Sequence, residues 1–127
     1  MAKKIISAGN LPFSKAIIHN FEYTMELSGQ VGIDPKTGKI VEGIDKQTHQ
    51  TLENMKIILE EIGWGFENII KVRIYLTDMN DYAAVNEIYK KFFSSDYPAR
   101  VALAVKALPL GALIEIECTA AGNEFSQ

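Results

Sequence analysis

The segment Lys71-Val72-Arg73-Ile74-Tyr75-Leu76-Thr77 decides the fold. Val72, Ile74 and Leu76 alternate with Arg73 and Tyr75, the period of a strand with one covered face. A helix then starts near Asp78 to Asp81 and carries Tyr82, Val85, Tyr89 and Phe92 at three- and four-residue spacing. Asn86 interrupts that apolar stripe, free to hydrogen-bond a loop or a ligand. Alternation returns over Arg100 to Lys106, directly after Pro98-Ala99. Strand, helix and strand in this order predict a right-handed parallel crossover from Lys71 to Lys106.

Outward from this unit, Lys46 to Ile62 places Leu52, Met55, Leu59 and Ile62 on one helical stripe, with Asp45 as the expected N-cap and Gly63 as the stop. Ala16 to His19 and Tyr23 to Ser28 read as two strands around a turn at Asn20, a candidate hairpin, because Tyr23, Met25 and Leu27 alternate with polar neighbours. Asp34-Pro35-Lys36-Thr37-Gly38 is a turn by composition and leads into a short extended piece, Lys39 to Val41. Leu113 to Ala120 is the last strand, after the turn-prone Leu108-Pro109-Leu110-Gly111. The order β-β-β-α-β-α-β-β predicts an α+β fold, with a mixed, mostly antiparallel six-stranded sheet and two helices on one face.

Val72, Ile74, Leu76, Val101, Leu103, Val105, Ile114, Ile116 and Cys118 are expected under the helices. Period-two counting puts Arg73, Tyr75, Arg100, Ala102, Ala104, Glu115 and Glu117 on the other face. That face is either wet or covered by another subunit, and its short alanines favour close approach.

A chain of 127 residues suits one domain, residues 1–127, and is too short for two independent cores. No run reaches the roughly 20 apolar residues that span a bilayer, so no membrane partner is expected. The start, Met1-Ala2-Lys3-Lys4-Ile5-Ile6-Ser7, turns polar before a signal-peptide core can form. Cys118 has no second cysteine to pair with and Asn-x-Ser/Thr is absent, which points to a reducing, cytoplasmic setting. The net charge is −3 and no dense basic stripe occurs, so nucleic acid is not an expected partner. Lys3-Lys4 and Lys90-Lys91 read as solvated pairs.

Arg100 opens its strand behind a stiff Pro98-Ala99 turn, and its planar fork suits a carboxylate. An arginine paired with a local acid at a strand end gives the same pattern. Glu115, between Ile114 and Ile116, is either an ordinary strand glutamate or a base that orients a water; spacing does not rank the two. His19 and His49 lack cysteine or acidic partners at ligand spacing, so no metal is expected. Cys118 falls in the core set, where a thiol is inert. Trp64, Tyr82, Tyr89, Phe92 and Phe93 read as packing, and no phosphate loop, nucleophile elbow or Ser/His/Asp constellation occurs.

Several blocks in order over nearly the whole chain are more specific: Pro12-Phe13-Ser14, Ser28-Gly29-Gln30, Asp34-Pro35-Lys36-Thr37-Gly38, Asn54, Lys71, Asp78-Met79, Val85-Asn86-Glu87-Ile88-Tyr89, Pro98-Ala99-Arg100, Leu108-Pro109 and Ile114-Glu115-Ile116-Glu117. Together they resemble the RidA family, also called YjgF or endoribonuclease L-PSP. The resemblance implies a chorismate-mutase-like fold and a homotrimer with three ligand sites in clefts between subunits. It implies hydrolysis of 2-imino acids and enamines, such as 2-iminopropanoate and 2-iminobutanoate, to 2-keto acids and ammonia, with no cofactor. Arg100 then binds the substrate carboxylate and Glu115 positions or deprotonates water, while Phe13, Ser28, Gly29, Asn86 and Ala102 line the site. Two other activities stay open: an endoribonuclease or translation inhibitor, and a non-catalytic binder of small carboxylates. The chain departs from the family pattern at Leu11-Pro12-Phe13, where many members read Gly-Pro-Tyr, and at Ala102, often cysteine in characterised deaminases. Both changes remove polar atoms from the expected site.

Overall fold

The computed structural model describes residues 3–127; Met1 and Ala2, with which the polar start opens, lie outside the described residues. The strands are β1 (Lys3–Ser7), β2 (Ser14–His19), β3 (Tyr23–Gln30), β4 (Ile69–Leu76), β5 (Ala99–Ala104) and β6 (Ile114–Gly122), and the α-helices are α1 (Ile44–Glu60) and α2 (Tyr82–Tyr89). One mixed sheet runs in the order β1-β2-β5-β4-β6-β3. β5 is parallel to both β4 and β2, and the remaining pairs are antiparallel. The predicted parallel β4-α2-β5 unit is therefore present at the centre of the sheet.

β4 obeys its alternation: Val72, Ile74 and Leu76 are buried beneath the helices. A register shift against β6 between Ile69 and Lys71 resets the period, so that Ile69 is buried as well. Leu52, Met55 and Leu59 of α1 and Val85 and Tyr89 of α2 close over these residues together with Ile114, Ile116 and Cys118 of β6. Each such aliphatic side chain contributes roughly 1.5–3 kcal/mol by leaving water.

α1 begins two residues before the expected start. Gly43 occupies the N-cap with φ 85°, and Asp45 sits inside the first turn, where its charge favours the helix dipole rather than capping it. Gly63, at φ 79°, ends the segment as expected, with Trp64 N–H reaching back to the Leu59 carbonyl at 3.0 Å. The buried Gln47 accepts from Leu113 N–H at 2.8 Å, and Asn54 donates to the Ile33 carbonyl at 2.9 Å, so α1 is pinned at both sides by polar contacts.

The candidate hairpin of Ala16 to His19 with Tyr23 to Ser28 does not form: β2 pairs with β1 and β5, and β3 pairs with β6 at the far edge of the sheet. Three more expectations are corrected. Lys39 to Val41 is not a strand; it contributes only a bridge between Ile33 and Ile40. The sixth strand is β1, whose Lys3-Lys4-Ile5-Ile6 order pairs like with like and hides the alternation that an edge strand keeps on one side only. The third correction concerns β5. Its register pairs Val72 with Arg100, Ile74 with Ala102 and Leu76 with Ala104, and cross-strand partners share a face. Arg100, Ala102 and Ala104 therefore lie on the helix side, while Val101 and Leu103, 39% and 40% exposed, lie on the open side. The aromatic α2 needs small residues beneath it, which the alanines supply. Ile6 and Ile18, 45% and 55% exposed, join Val101 and Leu103 on the open face through the β1-β2-β5 registers.

Among the described residues, no helix is long and apolar enough to cross a membrane.

Candidate functional site

The segment before Arg100 is stitched to the start of β2. Ser14 N–H donates to the Pro98 carbonyl at 3.0 Å, and the Ser14 hydroxyl donates to the Tyr97 carbonyl. These bonds bring Phe13 over the arginine, with Cζ 5.5 Å from the ring centroid. Tyr82, Asn86 and Tyr89 form one stripe of α2 and face the same guanidinium. Nη2 donates to the Tyr82 hydroxyl at 2.9 Å and to Asn86 Oδ1 at 2.7 Å. Cζ is 5.5 Å from the Tyr82 ring and 4.8 Å from the Tyr89 ring. Asn86 breaks the apolar stripe because it meets Arg100.

No acid closes this pocket. The ion pairs among the described residues are His49 with Glu53, Arg73 with Glu117, and Lys90 with Glu87. Arg100 joins none of them, and its Nη1 is buried without a hydrogen-bond partner. The Tyr89 hydroxyl is orphaned in the same way. Burial holds the Tyr89 phenol above its ordinary pKa, and the neighbouring guanidinium opposes that shift only in part. A cation held by rings and neutral oxygens alone is suited to an anion from outside.

Glu115 lies elsewhere. It pairs with Tyr75 across the sheet and shares the open face with Arg73, Tyr75 and Glu117. Glu117 is engaged: it accepts from the Tyr75 hydroxyl at 2.8 Å and has Arg73 Nε at 3.8 Å. The hydrogen bond to this carboxylate raises the Tyr75 phenol pKa. The Glu115 side chain makes no hydrogen bond or ion pair among the described residues. Its carboxylate lies over Gly29, where a Cβ would collide with Oε2. The β3-β6 register slips between Leu27 and Gln30, so the exposed Ser28-Gly29 pair bulges beside Glu115.

The candidate residues thus fall into two groups. Phe13, Asn86 and Arg100 meet on the helix side, with Ala102 two residues along the same face of β5; Ser28, Gly29 and Glu115 meet on the open side. The expectation that Arg100 and Glu115 share a face is corrected by the β5 register. Tyr82 and Tyr89, expected as packing alone, also enclose the guanidinium. Their spacing from Asn86 was the available signal, since a polar break flanked by tyrosines at i−4 and i+3 marks a stripe that receives a polar guest.

A groove of about 240 Å³ lined by Asn10, Pro12, Ala83, Asn86, Glu87 and Lys90 opens beside Asn86. A larger one of about 610 Å³, between α1 and the Trp64–Glu67 loop, contains none of the candidate residues. Among the described residues no three His, Cys, Asp or Glu side chains converge as metal ligands. Cys118 is buried, and that burial pushes its thiol up to about 12.

A mixed sheet backed by helices, with an arginine that meets no acid at the strand after a crossover, defines the class, an α+β domain with an enclosed cationic pocket. The family described as endoribonuclease L-PSP matches residues 4–122, and the chain belongs to it, the group that includes the RutC and RidA proteins. A RutC family protein of Pyrococcus horikoshii is 51% identical over 86% of each chain. The human 2-iminobutanoate/2-iminopropanoate deaminase is 44% identical over 86% of this chain and 79% of its own. Among solved structures, E. coli TdcF with bound serine superposes with a TM-score of 0.76 at 34% identity, covering 93% of this chain and 98% of that one.

Proposed function

We propose that this protein is a deaminase that hydrolyses reactive 2-imino acids and their enamines, 2-iminopropanoate and 2-iminobutanoate among them, to 2-keto acids and ammonia. The observation that carries this reading is the Arg100 guanidinium, enclosed by three aromatic rings with no acid of its own. Mammalian relatives bearing the deaminase name support it, as does a family structure holding an amino acid, a small carboxylate.

In this account Arg100 binds the substrate carboxylate and fixes C2. Water adds to C2 of the protonated imine while Glu115 takes a water proton, giving a carbinolamine. Glu115 returns the proton to nitrogen, the C–N bond breaks, and the hydroxyl proton leaves with the ammonia as ammonium. An imine already hydrolyses in water, so orientation and charge placement supply the acceleration and no cofactor enters a step.

Arg100 and Glu115 lie on opposite faces of one sheet, too far apart for a molecule of a few carbons to touch both. The site therefore takes Arg100, Phe13, Asn86 and Ala102 from one subunit and Glu115, Ser28 and Gly29 from another. The exposed Ile6, Ile18, Val101 and Leu103 supply the apolar surface that such an assembly covers, a cytoplasmic homotrimer of chorismate-mutase-like subunits.

The test is release of 2-keto acid above the spontaneous rate when a dehydratase supplies the imine, measured for wild type and Arg100→Ala. The variant is expected to lose the enhancement while keeping its assembly; wild-type activity in Arg100→Ala would sink the carboxylate clasp.

A further inference from the structure

A carboxylate held by both oxygens uses one edge of the guanidinium plane, either Nε with Nη2 or Nη1 with Nη2. Both edges include Nη2. In this structure Nη2 donates to Tyr82 and to Asn86, and Nη1 is sealed from solvent. A forked grip thus forms only where one of these two oxygens now sits. Asn86 accepts through Oδ1, and its amide has to flip before it offers a donor to an incoming anion. Tyr82 differs. Its phenol oxygen accepts from Nη2 with a lone pair, and its own O–H meets no acceptor among the described residues. Rotation about one C–O bond turns this group from acceptor to donor without moving the ring. Tyr82 is also only half-buried, whereas the Tyr89 hydroxyl is enclosed in the core.

The geometry points to Tyr82 as a further binding residue for the substrate carboxylate. One carboxylate oxygen enters the corner between Arg100 Nη2 and the Tyr82 oxygen and takes an N–H from the first and an O–H from the second. The inference rests on the carboxylate role of Arg100 proposed above and adds a contact that the sequence read only as packing. The selectivity follows from the charge on the accepting oxygen. A carboxylate oxygen takes both bonds as charge-assisted ones, while the carbonyl oxygen of a neutral amide accepts weaker bonds and its amino group sets N–H donors against the guanidinium.

Tyr82→Phe removes the hydroxyl and keeps the ring on Arg100. Binding of 2-oxobutanoate and of its neutral amide, 2-oxobutanamide, is measured by calorimetry on the assembled protein, for wild type, Tyr82→Phe and Arg100→Ala. For Tyr82→Phe the Kd of the acid is expected to rise about tenfold, the loss of one charge-assisted hydrogen bond, and that of the amide by no more than about threefold. In the deaminase assay KM rises by the same factor and kcat holds. A wild-type Kd for the acid in Tyr82→Phe, alongside lost binding in Arg100→Ala, overturns the role of Tyr82 and leaves that of Arg100 standing. Equal weakening of acid and amide overturns it too, since the hydroxyl then acts only as a brace. A wild-type Kd for the acid in Arg100→Ala removes the clasp itself.

Discussion

The Arg100 pocket and the Glu115 seat are built by opposite means. Arg100 is enclosed: three rings and two neutral oxygens surround a cation that finds no acid, on the side of the sheet that α2 covers. Glu115 is open: a half-buried carboxylate with no hydrogen bond, over a glycine whose missing Cβ is the space it occupies. The first arrangement limits one charged group to few orientations by packing; the second leaves its group able to reach outward. A group that recognises a fixed feature of a substrate gains from the first, and one that exchanges protons with water gains from the second.

The largest effect that separates the two halves comes from their simplest variants. Arg100→Ala is expected to abolish both keto-acid binding and rate enhancement. Glu115→Gln is expected to abolish the enhancement while keto-acid Kd stays within about threefold of wild type, because in the proposed site the carboxylate contact belongs to the other subunit. Calorimetry beside the coupled assay reads both, and a lost Kd in Glu115→Gln would merge the halves that the fold keeps apart. Next in size is Gly29→Ala. Its methyl displaces the Glu115 carboxylate, so kcat falls about tenfold or more with binding retained, and adding Gly29→Ala to Glu115→Gln costs little further.

β5 offers the same comparison along a single strand. Leu103→Asp on the open face is expected to dissociate the proposed homotrimer, seen by light scattering, with little change in the circular dichroism of the subunit. Ala102→Leu on the helix face is expected to destabilise each subunit by about 1–3 kcal/mol through overpacking beneath α2. The reverse pattern would restore the sequence-based assignment of faces.

Tyr89→Phe has the smallest effect at neutral pH. Its hydroxyl is buried without a partner, so the variant is expected to be as stable as wild type or slightly more so. Alkaline denaturation shows the difference. Burial raises the folded-state pKa of Tyr89, so above about pH 10 the unfolded chain loses this proton and the folded chain retains it. Stability is fully present below that pH and falls as pH rises beyond it, and Tyr89→Phe is expected to remove this part of the slope.

Much of this was legible in the sequence because the relevant patterns are local. The β4 alternation, the α1 stripe, the Gly63 stop and the break at Asn86 each follow from a few consecutive residues. The faces of β5 were not legible. Arg100-Val101-Ala102-Leu103-Ala104 is apolar on both phases after the arginine, and the larger side chains read as core. What decides the matter is the pairing of Val72 with Arg100 and the aromatic bulk of α2, which leaves room only for alanine. β1 was missed for a related reason, since two lysines followed by two isoleucines mask the period of two. Tyr82 was read as packing because its spacing from Asn86 marks a polar stripe without naming the guest, an arginine supplied by a distant strand.

The central claim, that Arg100 and Glu115 meet only between subunits, is tested most directly by mixing. Arg100→Ala and Glu115→Gln, each inactive alone, are unfolded together at equal amounts, refolded and assayed. If each site draws its arginine from one subunit and its glutamate from another, random reassembly restores about one quarter of the wild-type activity. A mixture as inactive as its components, with mixed assemblies demonstrated by mass spectrometry, would place both groups in one subunit and contradict the account.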